Sequence, residues 1–362
     1  MKSSISFLSW IFALAFFFSC QNSTEKPEPQ PQSRALEPEE ASGIYPYRRL
    51  STYGIFEGEM KNLKPTAQFH FYKPASSLFT DYANKSRFIF IPEGQKAKLN
   101  LNELELPHGT ILVKNFFYPE DFRKPEGERR IIETRLMIHE EGGWQAYPYI
   151  WNEEQTDAIL KIVGGTTQVH FTDQTGKNQV INYIIPNKNQ CKSCHNQDEK
   201  LVPIGVQTKH LNHEANLNGS PANQLIHWEK LEILEKSVHP DQLPAMINYE
   251  DEKQALDDRA MAYLDINCAH CHRAEGPAST SGLFLTFDQK DPLKLGINKA
   301  PVAAGKGAGS FKYDIVPGQP DQSILTHRMN STEVGVAMPE IGRTTVHREG
   351  VELIKAWISR LE

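Results

Sequence analysis

The rhythm of apolar and polar positions changes several times along the 362-residue chain. Phe7 to Phe18 is almost entirely apolar, preceded by Lys2 and followed at once by polar sequence. A bilayer span needs about 20 such residues, so this run reads as the hydrophobic region of an export signal. Residues 21–43 are dominated by Glu, Pro, Gln and Ser with no apolar period, which predicts a disordered linker. Short strand-like runs then recur: Gln68 to Tyr72, Arg87 to Ile91, Thr110 to Tyr118, Arg130 to His139 and Trp144 to Trp151. Val169 to Thr172 and Gln179 to Ile185 flank Asp173-Gln-Thr-Gly176-Lys as a hairpin. Many short strands between turn residues predict an all-β region, sandwich- or jelly-roll-like. Tyr147, Tyr149 and Trp151 share one parity and therefore one face, as core residues would.

Beyond residue 186 the period lengthens. Leu225, Trp228, Leu231 and Leu234 predict a helix across Asn223 to Lys236. Glu250, Asp251 and Glu252 suit the first turn of a helix whose face carries Leu256, Ala260, Tyr263 and Leu264, running into Cys268. Ile354, Trp357, Ile358 and Leu361 predict an amphipathic closing helix.

Charge excludes one class of function. The chain has 39 basic and 45 acidic residues, a net charge of −6, and no basic block or helical stripe for nucleic acid.

Cysteine use changes the picture most. Four of the five cysteines lie in two pentapeptides, Cys191-Lys-Ser-Cys194-His195 and Cys268-Ala-His-Cys271-His272. Each reads C-x-x-C-H, the attachment pattern of c-type haem: two thiols to bond the porphyrin edge and an adjacent imidazole for the iron. A zinc site, a redox dithiol or a disulfide would explain one C-x-x-C, but not His195 and His272 following both. The expected cofactors are therefore two covalently bound c-type haems, with no cysteine left for structural disulfides. The fifth, Cys20, follows Ser19 at the end of the apolar run, as in a lipobox, and is the expected lipidation site.

Further iron ligands are less determined. Met338, on Met338-Pro339, follows His272 by 66 residues and is the favoured distal ligand of the second iron, with Met329 its competitor. For the first iron Met246, His210, His213, His227 and His239 all stand open, as does an empty sixth position. His70, His108, His139 and His170 are too scattered for a metal site, and His270, inside the second motif, has no expected role.

Further blocks accompany the motifs. They include Asn189-Gln-Cys-Lys-Ser-Cys-His195, Pro203-Ile-Gly205, Tyr263-Leu-Asp-Ile-Asn-Cys-Ala-His-Cys-His272, Tyr313-Asp-Ile-Val-Pro-Gly318 and Met338-Pro-Glu-Ile-Gly-Arg343, with Glu133-Thr-Arg-Leu136 and Tyr149-Ile-Trp-Asn152 upstream. Together they resemble a bacterial family of largely uncharacterised dihaem c-type cytochromes with an N-terminal β-rich domain, and the last hundred residues are similar to cytochrome c. The resemblance implies an architecture and a haem content rather than a reaction.

The expected organisation is thus a lipoprotein signal peptide (1–20), a disordered linker (21–43), a β-rich domain (44–186), a first haem module (187–250) and a cytochrome c-like domain (251–362). Its fold class is multidomain, N-terminal all-β followed by mainly α cytochrome c-like haem modules. The leading functional expectation is single-electron transfer between unidentified redox donor and acceptor proteins, in a chain exported and lipid-anchored to the cell envelope. A dihaem peroxidase with one open iron is the alternative. A β domain that binds a surface polymer or small molecule is the third.

Overall fold

The computed structural model describes residues 45–100, 104–217, 219–236 and 239–362. Cys20, the signal segment and the linker lie outside the described residues. Ile44–Glu362 forms one compact unit.

Its frame is a six-stranded antiparallel sheet. The strands lie in the order His70–Phe71, Asn84–Phe90, Ile111–Pro119, Arg129–Glu140, Gly143–Trp151 and Ala158–Leu160. From Asn84 onward each long strand pairs with the next in sequence, a meander without the crossovers of a jelly roll. Alternation gives the sheet two faces. Phe88, Val113, Leu136, Ile138, Tyr147 and Tyr149 point into a core closed by Leu50, Ile55, Leu63 and Phe69. The expected hairpin is present as Gly165–Thr172 paired with Asn178–Ile185, Val169 opposite Ile181. Asp173 closes its turn by accepting from the amides of Thr175 (2.8 Å) and Lys177 (3.0 Å).

The other face of the sheet carries Ile89, Leu112, Met137 and Ala146. These pack with Cys191, Val206, Leu211, Leu225, Trp228 and Leu234 in one hydrophobic cluster. The segment around the first C-x-x-C-H motif therefore packs its short helices against the sheet to build its core.

This corrects the expected fold class. Strand (27%) outweighs helix (21%), and the part following the β-rich region forms no cytochrome c-like helical haem modules. The helices there are short because turn residues interrupt them. The helix expected over Asn223 to Lys236 spans only Gln224–Lys230. Asn223 caps it, and Glu232, in the left-handed region at φ 59°, breaks the chain away. The acidic triplet Glu250–Glu252 lies before its helix, where Asp251 accepts from the Lys253 amide (3.1 Å) in a turn. The helix itself is Leu256–Asn267, with Asp257 and Asp258 in its first turn. It packs on the closing helix Arg348–Ile358, which buries Ile354, Trp357 and Ile358 as its periodicity predicts. Gly350 makes that approach possible, since a Cβ there would run into the Tyr263 ring. No helix among the described residues is long and apolar enough to cross a membrane.

Candidate cofactor site

Each motif sits at the end of a helix. Asn187 and Gln190 form a reciprocal capping box that starts the seven-residue helix Lys188–Cys194, and His195 is its C-cap. Cys268 is the C-cap of Leu256–Asn267, and the His272 amide donates to the Cys268 carbonyl (2.9 Å). Both motifs open onto the same cavity, whose lining includes Cys191, Cys194, His195, Cys268, His270, His272, Met329 and Met338. It holds about 1990 Å³ of space between its walls, with the solvent at its open mouth included.

The motifs also touch. Cys194, His270 and Cys271 bring their ligand atoms within 4.8 Å of one another. The neighbouring Cys271 thiol and His270 hold the Cys194 thiol below its ordinary range, against the opposing effect of burial. The Cys271 thiol is pushed up in turn. His270 thus stands at the junction of the two motifs with Nδ1 buried and unpartnered. No local spacing pointed to this, because the partner cysteine lies 76 residues away (270 − 194).

Do these residues fit haem? The imidazoles do. His195 Nδ1 is 2.8 Å from the Val202 carbonyl, and His272 Nδ1 is 3.4 Å from the Ser281 hydroxyl, which itself donates to the Ala278 carbonyl. Such a bond fixes the tautomer and leaves Nε2 as the ligand atom. Burial drives both rings toward the neutral, metal-binding form: His195 down to about 3 and His272 to about 4. All four motif cysteines are free of disulfides. The chemistry of a zinc site fits worse. The Cys194–His270–Cys271 group takes one thiol from each C-x-x-C, leaves Cys191, Cys268, His195 and His272 unused, and supplies three ligands where structural zinc takes four.

Around the second motif, the chain returns across the cavity at Met338. Arg343 gathers this loop by donating to the carbonyls of Met338 (3.0 Å), Ser331 (2.8 Å), Met329 (3.2 Å) and Arg328 (3.3 Å). Asp81, just before the second sheet strand, accepts from the amides of Thr344 (2.7 Å) and Thr345 (2.8 Å) and from both their hydroxyls. The β-rich region therefore helps hold the Met338 loop. Met329 also lines the cavity, but it ends the helix Ile324–Met329 and is packed in the core.

At the first motif none of the five distal-ligand candidates lines the cavity among the described residues. Met246 is buried with Ala75 and Tyr249. His210 Nε2 binds Asp265 (3.2 Å). His213 uses both ring nitrogens, on Glu214 O and Lys73 O (2.8 Å each). His239 pairs with Asp241 (3.2 Å) at the surface, and His227 lies on the short helix after Asn223. Of the other histidines, His139 stacks between His108 and Trp144, a packing role.

Comparison with protein-family models, with curated proteins and with solved structures returns no match to this chain.

Proposed function

We propose that the chain is a dihaem c-type electron carrier. The observation that carries this is the convergence of both C-x-x-C-H motifs on one cavity, with the sulfurs of Cys194 and Cys271 within 4.8 Å of each other. Cys191, Cys194 and His195 would hold one haem, and Cys268, Cys271, His272 and Met338 the other. The group supplies one-electron redox chemistry; the chain supplies ligation, charge environment and exclusion of water. Two attachment points in contact keep the two groups side by side, and that favours electron exchange between them. Redox partner proteins would complete the path.

The peroxidase reading has its own support in the missing distal ligand beside His195. An acid–base group for it would have to come from His270 or Lys114 in the cavity wall. Cleaving peroxide calls for a side chain that moves a proton at the open position. The wall beside the first motif offers Arg87, Lys114, Arg135 and Gln190. The one carboxylate lining the cavity among the described residues, Asp314, is paired with Lys299 (3.2 Å). The holoprotein, titrated spectroelectrochemically, is expected to show two reversible one-electron couples. Given an electron donor and hydrogen peroxide, it is expected to sustain no turnover. Continuous peroxide consumption would overturn the carrier assignment in favour of the enzyme.

A further inference from the structure

The cavity wall beside the first motif holds more positive charge than its surroundings neutralise. Sheet register sets Arg87 opposite Lys114, and Lys114 opposite Arg135. Side chains so placed have Cβ atoms about 5 Å apart, and like charges directly opposite destabilise a sheet. Arg135 is answered by Glu133 through Nε (2.9 Å) and Nη2 (2.5 Å). Glu133 is already engaged by the Tyr183 hydroxyl (2.7 Å). Arg87 is 7% exposed and its guanidinium has no hydrogen-bond or ion-pair partner among the described residues. Among the described residues Lys114 Nζ meets the Phe116 ring, 4.8 Å from its centroid, and no hydrogen-bond or ion-pair partner. An uncompensated buried charge is costly, and here the buried Arg87 and the half-buried Lys114 line the cavity side by side.

The next rung on the same face is apolar, Ile89–Leu112–Met137–Ala146. Leu112, Met137 and Ala146 line the cavity as well. The wall is thus a flat apolar strip edged by cations, complementary to a flat apolar group that carries carboxylates on one edge.

We propose that Arg87 and Lys114 form a carboxylate-binding site, and that its occupant is the propionate edge of the haem held by Cys191 and Cys194. The assignment of the occupant rests on the dihaem reading above. Burial and the like charges of Arg87 and Arg135 hold the Lys114 ammonium well below its ordinary range, a condition that a bound carboxylate would relieve.

The test uses the full-length holoprotein, its haem content first checked by mass. Arg87→Gln and Lys114→Gln are each expected to retain both haems. Each should weaken reduction of the first haem about tenfold, 59 mV for one electron, because removing a nearby cation favours the ferric state. The propionate bending bands in the resonance Raman spectrum should shift, and Arg87→Lys should restore most of both effects. Retention of two haems with unchanged potentials and propionate bands would overturn the proposal. A Lys114→Gln variant whose first haem changes spin state would also overturn it, by making the amine an iron ligand. Calorimetry with succinate separates the two sources of carboxylate. Wild-type holoprotein should give no binding. Saturable binding that disappears in Arg87→Gln would identify a free organic acid and overturn the propionate assignment. A wild-type chain without covalent haem would sink the dihaem reading itself, an outcome distinct from all of these.

Discussion

Met338→Ala is expected to remove the weak red-edge charge-transfer band from the ferric spectrum and to lower the potential of one of two haems. The same haem should gain the ability to bind carbon monoxide. The thioether favours the ferrous iron, so its loss both shifts the potential and frees a position. Met338 lines the cavity with His272, and its loop is tied from two sides, by Arg343 on its carbonyl and by Asp81 on Thr344 and Thr345. The loop is therefore expected to survive the substitution. Met329→Ala provides the contrast. That side chain is 7% exposed within the core, and truncation should cost about 2–5 kcal/mol of stability while leaving the charge-transfer band in place. A band lost in Met329→Ala and retained in Met338→Ala would reverse the assignment.

The second large effect concerns Asp265, three residues before Cys268. Its carboxylate is buried and accepts from Lys209 Nζ (2.6 Å), His210 Nε2 (3.2 Å) and the Phe287 amide (2.9 Å). Burial alone would raise its pKa, but the His210 hydrogen bond and the Lys209 charge outweigh it and hold the group at about 2. Asp265→Ala leaves His210 and the Phe287 amide without their acceptor. Removing one member of a buried pair costs about 3–5 kcal/mol, and here the lower end is expected because the Lys209 side chain is 26% exposed and can rehydrate. Urea unfolding of the holoprotein measures the loss. The sign of its pH dependence follows from the depressed folded pKa. The stabilisation is fully present above the unfolded value near 4, and it is lost as pH falls toward 2. The stability gap between wild type and Asp265→Asn should therefore narrow below about pH 4. A gap that stayed constant down to pH 2 would show that Asp265 is not ionised in this network.

Local patterns were legible in the sequence, and long-range ones were not. Each C-x-x-C-H fits within five residues, the hairpin around Asp173 is announced by its turn chemistry, and the closing helix by Ile354, Trp357 and Ile358. The helix Lys188–Cys194 was missed, because Pro186-Asn-Lys-Asn189 reads as a turn; its one signal is Asn187 followed by Gln190, a cap residue with Gln three positions on. What stayed hidden depends on register and packing. Arg87, Lys114 and Arg135 are unremarkable cations in three separate runs until pairing sets them side by side. The contact of Cys194 with His270 and Cys271 comes from the folding of distant segments. Helix length was overread because apolar spacing continues past Leu231, while Glu232 turns the backbone out of the helix.

Intact mass of the denatured full-length protein, produced with a cytochrome c maturation system, tests the central claim most directly. The polypeptide is expected to carry two haems. A Cys191→Ala/Cys194→Ala variant should carry one, as should a Cys268→Ala/Cys271→Ala variant. A wild-type mass equal to the bare polypeptide, with zinc recovered in place of iron, would contradict the dihaem assignment and leave the Cys194–His270–Cys271 group as the metal site.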